Sequence, residues 1–293
     1  MTKYSYKHLD QFFVISKWEE DVKGPFGLAP PPGDWEGFKA KIKELNDQCP
    51  KGESVKVIFA ARHGQGEYDT LREDVIILSS RSPSLCCLRI EADRYLQLPL
   101  QGQILYPILD PDLTPLGRSQ AYQTRKAIQR EVKRGMPVPE KWYTSPLRRA
   151  GETCGIEWGW LFDRAWKGGQ GHGVPATVVE NIREHLHVNQ CDARLPLSAL
   201  KPLFPSFTYP ETMSDADDIW KPIEVRGRET EDELVARRGE GIAEVLERSG
   251  SSTYISVTAH SGALRGIYKS LNVAHHYIVV GEMNVLVIRV KEE

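Results

Sequence analysis

Two histidines stand where two apolar runs end. The run VKVIFAA at 55–61 stops at Arg62-His63-Gly64-Gln65-Gly66-Glu67, and the run STYISVTA at 252–259 stops at His260-Ser261-Gly262. A strand-length apolar run that breaks into a polar, glycine-bearing loop brings its last side chains to the carboxyl end of a strand. That is where open α/β sheets bind ligands. Arginines accompany both histidines. Arg62 precedes His63, and Arg148 and Arg149 follow Ser145-Pro146, just after the short run KWYT at 141–144. A guanidinium keeps its charge at any working pH and forks onto phosphate oxygens. The N–H groups of Gly64 and Gly66 can approach an anion closely, and a helix starting after His260 adds partial positive charge.

Together these residue types suit a phosphoryl group. One neutral imidazole attacks phosphorus and becomes a phosphohistidine. The arginines and the second histidine stabilise charge on the equatorial oxygens, and a carboxylic acid protonates the leaving alkoxide. Glu184, after TVVENI at 177–182, is the candidate acid; a surface ion pair with Arg183 is the competing reading, and Glu67 is the other candidate. Other chemistries fit less well. Gly64-x-Gly66 lacks the third glycine of a dinucleotide-binding turn, and no clustered His/Asp pattern marks a metal site.

The elements that must position these residues alternate between strand and helix, which implies an α/β fold with a largely parallel sheet. Strands are expected at 55–61, 141–144, 177–182, 252–259 and 284–290. Thr114-Pro115 caps a polar helix that Gly135 stops, and Ser145-Pro146 opens another. Thr230 with Glu233 forms a capping box for a helix ended by Gly250. A last helix follows His260. Residues 1–50 read as an N-terminal extension packing on a catalytic domain of 51–293. Within the extension, Asp34 caps an amphipathic helix carrying Trp35, Phe38, Ile42 and Leu45. Residues 73–103 lack periodicity and read either as a functional loop or as an aberrant segment.

Composition narrows the functional classes. The 293 residues are 40% hydrophobic and 27% charged, enough for a sizeable core. Lys and Arg number 38 against 40 Asp and Glu, a net charge of −2, which argues against a nucleic-acid partner. No apolar run is long enough for a membrane span, and the start lacks a secretory h-region. Cys49, Cys86, Cys87, Cys154 and Cys191 fit neither a disulfide framework nor a zinc site. A reduced compartment, cytoplasmic or nuclear, is expected.

The chain resembles the histidine phosphatase superfamily, the phosphoglycerate-mutase-like or "RHG" proteins. RHGQGE at 62–67 matches the signature, and DLTPLGRSQA at 112–121 is similar to the second block. YTSPLRRAGET at 143–153 and AHSG at 259–262 resemble two further blocks, in the expected order. The resemblance implies a three-layer α/β/α sandwich with a mostly parallel sheet and metal-free, cofactor-free chemistry. It makes His63 the nucleophile, His260 the second histidine, Glu184 the acid, and Arg62 and Arg149, rather than Arg148, the phosphate-binding arginines. Gly64 and Ser261 would complete the phosphate shell.

Departures from the pattern bear on activity. Asp69 stands where the family often carries a phosphate-contacting Asn, and a carboxylate there repels a phosphate unless it is protonated or turned away. After Glu184 the chain lacks the Tyr-Gly-rich stretch of the mutases. Cys191-Asp192-Ala193-Arg194 is instead similar to an element of fungal phosphomutase-like phosphatases, which makes Arg194, with Glu67 and Asp69, a candidate substrate contact. The expected activity is hydrolysis of a small phosphorylated metabolite. A phosphomutase and a weakly active phospho-ligand-binding protein are the alternatives.

Overall fold

A computed structural model describes residues 3–14, 25–29, 33–67, 109–163, 173–187, 189–274 and 278–293. Seven strands form one sheet: β1 (Tyr4–His8), β2 (Glu53–Arg62), β3 (Lys141–Thr144), β4 (Ala176–Val178), β5 (Phe207–Thr208), β6 (Tyr254–Ala259) and β7 (Met283–Glu292). Their order is β1-β7-β2-β6-β3-β4-β5. The pairs β2–β6, β6–β3, β3–β4 and β4–β5 are parallel, and only β7 opposes its neighbours β1 and β2.

Helices cover both faces. They are α1 (Trp35–Asp47), α2 (Pro115–Val132), α3 (Arg148–Phe162), α4 (Leu197–Leu203), α5 (Ile223–Arg226), α6 (Glu231–Ser249) and α7 (Ser261–Ser270). Strand β2 shows why two layers are needed. Val55, Val57, Phe59 and Ala61 enter a core shared with Phe38 of α1, Ile128 of α2 and Trp158 of α3. Ile58 and Ala60 enter a second core with Ile242 of α6 and Leu264 of α7. Side chains alternate across a strand, so an unbroken apolar run is stable only when both faces are covered. The result is the expected α/β/α sandwich.

Several boundaries differ from the expectations. The capping box at Thr230 and the Thr114 cap form, with Thr114 Oγ1 accepting from the Gly117 N–H. Ser145-Pro146 does not open α3, which begins at Arg148; the Ser145 hydroxyl is directed elsewhere. Only Ala176–Val178 is strand in the 177–182 region, and Glu180–Ile182 closes into a 3-10 turn. The N-terminal segment gives the sheet an edge strand, Tyr4 pairing with Glu292 and His8 with Ile288. Leu9, Phe12, Phe13, Trp35 and Phe38 belong to the main core, so the described part of residues 1–50 is built into the sandwich. Among the described residues no helix is long and apolar enough to cross a membrane. The 73–103 segment and Asp69 lie outside the described residues.

Candidate active site

Strand β2 ends at Arg62, and the chain is then held from both sides. The His63 N–H donates to the Ala259 carbonyl at the end of β6, and the His63 carbonyl accepts from Gly281 N–H, both at 3.0 Å. The loop next crosses the start of α2 backbone to backbone. A Cβ on Gly64 would lie 2.3 Å from the Gly117 carbonyl oxygen, and one on Gly117 would lie 2.0 Å from that of Gln65. Only paired glycines permit that crossing. Thr153 Oγ1 accepts from Gly64 N–H and Gln120 Oε1 from Gln65 N–H, which fixes the loop.

This scaffold brings His63, Arg149 and His260 together. The two imidazoles meet edge to face with centroids 4.8 Å apart. His63 Nδ1 is 2.6 Å from the Gly64 carbonyl. A carbonyl only accepts, so Nδ1 carries the proton and Nε2 keeps its lone pair. Arg149 Nε donates to that Nε2 at 3.3 Å. Burial, then the Arg149 and Arg62 charges, hold the His63 pKa well below the ordinary histidine value. His260 is held down likewise, by burial, Arg149 and His63. Its Nε2 meets the Ser145 hydroxyl at 2.8 Å, while its buried Nδ1 lacks a hydrogen-bond partner. The site therefore presents a neutral, oriented imidazole beside a cation. Arg62 also reaches the pocket wall, its Nη1 donating to the Ile278 carbonyl.

Glu184 sits at the start of α7. Its Oε2 accepts from Gly262 N–H at 3.0 Å and from the Ser261 hydroxyl at 3.3 Å, and its Oε1 accepts from His185 N–H. Burial opposes its charge, but His185, the two backbone N–H groups and Arg149 outweigh burial and keep its pKa below the ordinary carboxylate value. Glu184 is thus held in its ionised form, and an anion placed beside it would raise the cost of that charge. Gly262 makes the seat possible, since a Cβ there would lie 2.1 Å from Glu184 Oε1. Gly262→Ala is expected to dislodge the carboxylate from this seat. A crystal structure of the variant checks this; an unmoved Glu184 would show that the glycine is not needed for it.

The remaining candidates divide. Arg149 is buried beside His63, whereas Arg148 is turned to an ion pair with Asp112. Asp110, buried at a positive φ of 47°, accepts from the N–H groups of Arg148 and Leu195, tying the start of α3 to the loop after Asp192. Ser261 gives its hydroxyl to Glu184. Glu67 is exposed at the loop's edge. Arg194 does not reach the site. Its guanidinium donates to Glu180 and to the carbonyls of Ser214, Leu195, Asp215 and Ala216, so the expected substrate contact is a clamp on a neighbouring loop. The inward residue of that element is Asp192, whose Oδ1 accepts from Arg149 Nη2 at 2.7 Å. Ser145, Thr153 and Asp192 are site residues that spacing alone did not single out.

No family model matches the chain. A probable phosphoglycerate mutase of Arthroderma benhamiae is 29% identical over 242 residues, 83% of this chain and 65% of that protein. A probable phosphoglycerate mutase of Saccharomyces cerevisiae is 26% identical over 245 residues, 78% of this chain and 77% of its own. The chain thus spans less than two thirds of the first of these curated relatives. Among solved structures, the ecdysone phosphate phosphatase of Bombix mori, in complex with tungstate, aligns over 78% of this chain and 88% of its own. Its sequence identity is 17% and its TM-score 0.46.

Proposed function

We propose that this chain, phosphoglycerate-mutase-like in its motifs and in its relatives, is a phosphomonoester hydrolase that works through a phosphohistidine on His63. The observation that carries this reading is the His63 Nε2 lone pair, oriented by the Nδ1 contact to Gly64 and facing Arg149. Nε2 attacks phosphorus, an N–P bond forms, and the ester P–O bond breaks. The leaving oxygen takes its proton from Glu184. A water then attacks phosphorus, returns a proton to Glu184 and breaks the N–P bond, releasing inorganic phosphate and neutral His63. Arg62, Arg149 and His260 stabilise the charge that develops on the phosphoryl oxygens.

The charge around the pocket favours water over phosphoglycerate as the acceptor. A phosphoglycerate carries a carboxylate that needs a cation of its own. Among the described residues, Arg183, Arg237 and Arg265 lie near Glu184 and are engaged with Asp217, Glu229 and Glu231 respectively. The names of the relatives favour a mutase as the second reading. Phosphate release from a panel of phosphomonoesters with a chelator present, beside isomerisation of a phosphoglycerate, tests both. Release without isomerisation is expected; isomerisation faster than release would make the chain a mutase.

Glu184→Gln is expected to slow hydrolysis of alkyl phosphates by roughly 100-fold or more while leaving aryl phosphates with good leaving groups far less affected. Equal slowing across leaving groups would take the acid role from Glu184.

A further inference from the structure

We propose that Asp192 competes with the phosphoryl group for Arg149: its carboxylate holds the guanidinium and yields it to a phosphate-like anion. This deepens the hydrolase reading and rests on it. Arg149 is nearly enclosed, and its fork is engaged by protein groups. Nε faces His63 Nε2, Nη1 donates to the Cys191 carbonyl, and Nη2 donates to Asp192 Oδ1. A phosphoryl group bonded to His63 Nε2 must be held from the same Nε and Nη2 edge. It therefore competes with Asp192 for one guanidinium.

The placement suits an exchangeable partner. Asp192 ends a 3-10 turn, Gln190–Asp192, and its carbonyl is anchored by Arg183 Nη2 at 2.7 Å. Its side chain can turn while its backbone stays fixed. The groups facing the carboxylate are Arg149 from α3, Glu184 from the loop before it, and Asn189 Nδ2 on Oδ2 at 3.3 Å. Burial, with the like charge of Glu184, pushes the Asp192 pKa up to about 6 despite Arg149. Lowering the pH therefore neutralises Asp192 and frees Arg149, so anion affinity rises as pH falls through that value. The device acts as a threshold: a strongly bound phosphoryl dianion displaces the carboxylate, and weaker anions do not.

Sulfate is the probe, because its charge is constant over the range. Calorimetric binding to the wild-type chain is expected to tighten about tenfold from pH 7 to pH 5, in proportion to the neutral fraction of Asp192. Asp192→Asn keeps the shape and an acceptor but removes the charge. It should bind sulfate about tenfold tighter than wild type at pH 7 and lose most of the pH dependence. Asp110, also pushed up to about 6 by burial, is present in both proteins, so the difference between them belongs to Asp192. Equal or weaker binding by the variant would make Asp192 a prop for Arg149 and overturn the proposal, while the hydrolase reading stands. No sulfate binding by either protein would overturn the phosphoryl site and this proposal together. If Asp192→Asn does not fold, Asn189→Ala removes a hydrogen bond that favours the ionised form. It should move the binding midpoint to higher pH, and an unmoved midpoint overturns the proposal.

Discussion

Replacing His63 by alanine is expected to lower kcat/KM for any phosphomonoester by about four orders of magnitude or more, since loss of a covalent nucleophile removes the whole first step. The fold should survive. The backbone bonds of His63 to Ala259 and Gly281 do not involve the ring, and the ring's polar contacts are local to the pocket. Anion binding should persist through Arg62 and Arg149. Phosphate release, sulfate binding and a melting curve on the same preparation read these three effects separately. A variant that binds sulfate, melts like wild type and still turns over at a tenth of the wild-type rate would end the phosphohistidine mechanism. The strongly lowered His63 pKa adds a sign. Wild-type turnover should show no loss from protonation of this imidazole as pH falls from 7 to about 6.

Arg183→Met should be the most destabilising single change near the site. Arg183 is fully buried, with Asp217 accepting at 2.6 and 2.9 Å, Glu180 at 2.7 Å and the Asp192 carbonyl at 2.7 Å. Methionine fills much of the volume but takes the buried cation from Asp217, leaves Glu180 with Arg194 alone, and removes this donor from the Asp192 carbonyl. Breaking such a buried pair from one side costs roughly 3–5 kcal/mol, which in a chain of this size lowers Tm by roughly 6–15 °C. Arg183→Lys should fall between, because an ammonium cannot serve three acceptors in one plane. The pH dependence has a definite direction. Burial opposes the Asp217 charge, but Arg183 holds its pKa down to about 2. Its stabilisation is complete above the ordinary aspartate value and is lost as pH falls toward 2. The Arg183→Met variant should lack that acid dependence. A melting temperature within about 1 °C of wild type would show that the network contributes nothing net.

The pairing of the two histidines at neighbouring strand ends was legible because each terminates an apolar run, and a run of that kind has few alternatives to a buried strand. Arg149, rather than Arg148, came from the resemblance, and Glu184 from its place after TVVENI. What spacing could not convey is direction. Asp192 and Arg194 are two residues apart in one element, yet one side chain enters the pocket and the other clamps the 214–216 carbonyls. That choice is made by Arg149 and the far loop, neither of which is local. Ser145 looked like a helix opener, and its hydroxyl belongs instead to His260, 115 residues away. Strand β1 was illegible for the same reason, because YSYKH becomes an edge strand only against β7. Glu157 is the reverse case. It reads as a polar helix residue, but α3 is covered on nearly all sides, and burial raises its carboxyl pKa well above the ordinary value.

The sheet order bears on how this protein emerges from the ribosome. Strand β2, which leads into His63, lies between β6 and β7, and Ala60 meets Val257 and Asn284 across them. Both partners are translated roughly 200 residues later, on the order of ten to forty seconds at ordinary synthesis rates. Until then β2 has two open edges and no opposing histidine. Pairing over such sequence separation comes late in folding. His63, Arg149 and His260 therefore converge in a single late step, and a nascent chain of any length short of β6 lacks the second histidine of this cluster. Synthesis delivers this site whole or not at all, and the exposed edges of β2 are what a chaperone would have to shield in the interval.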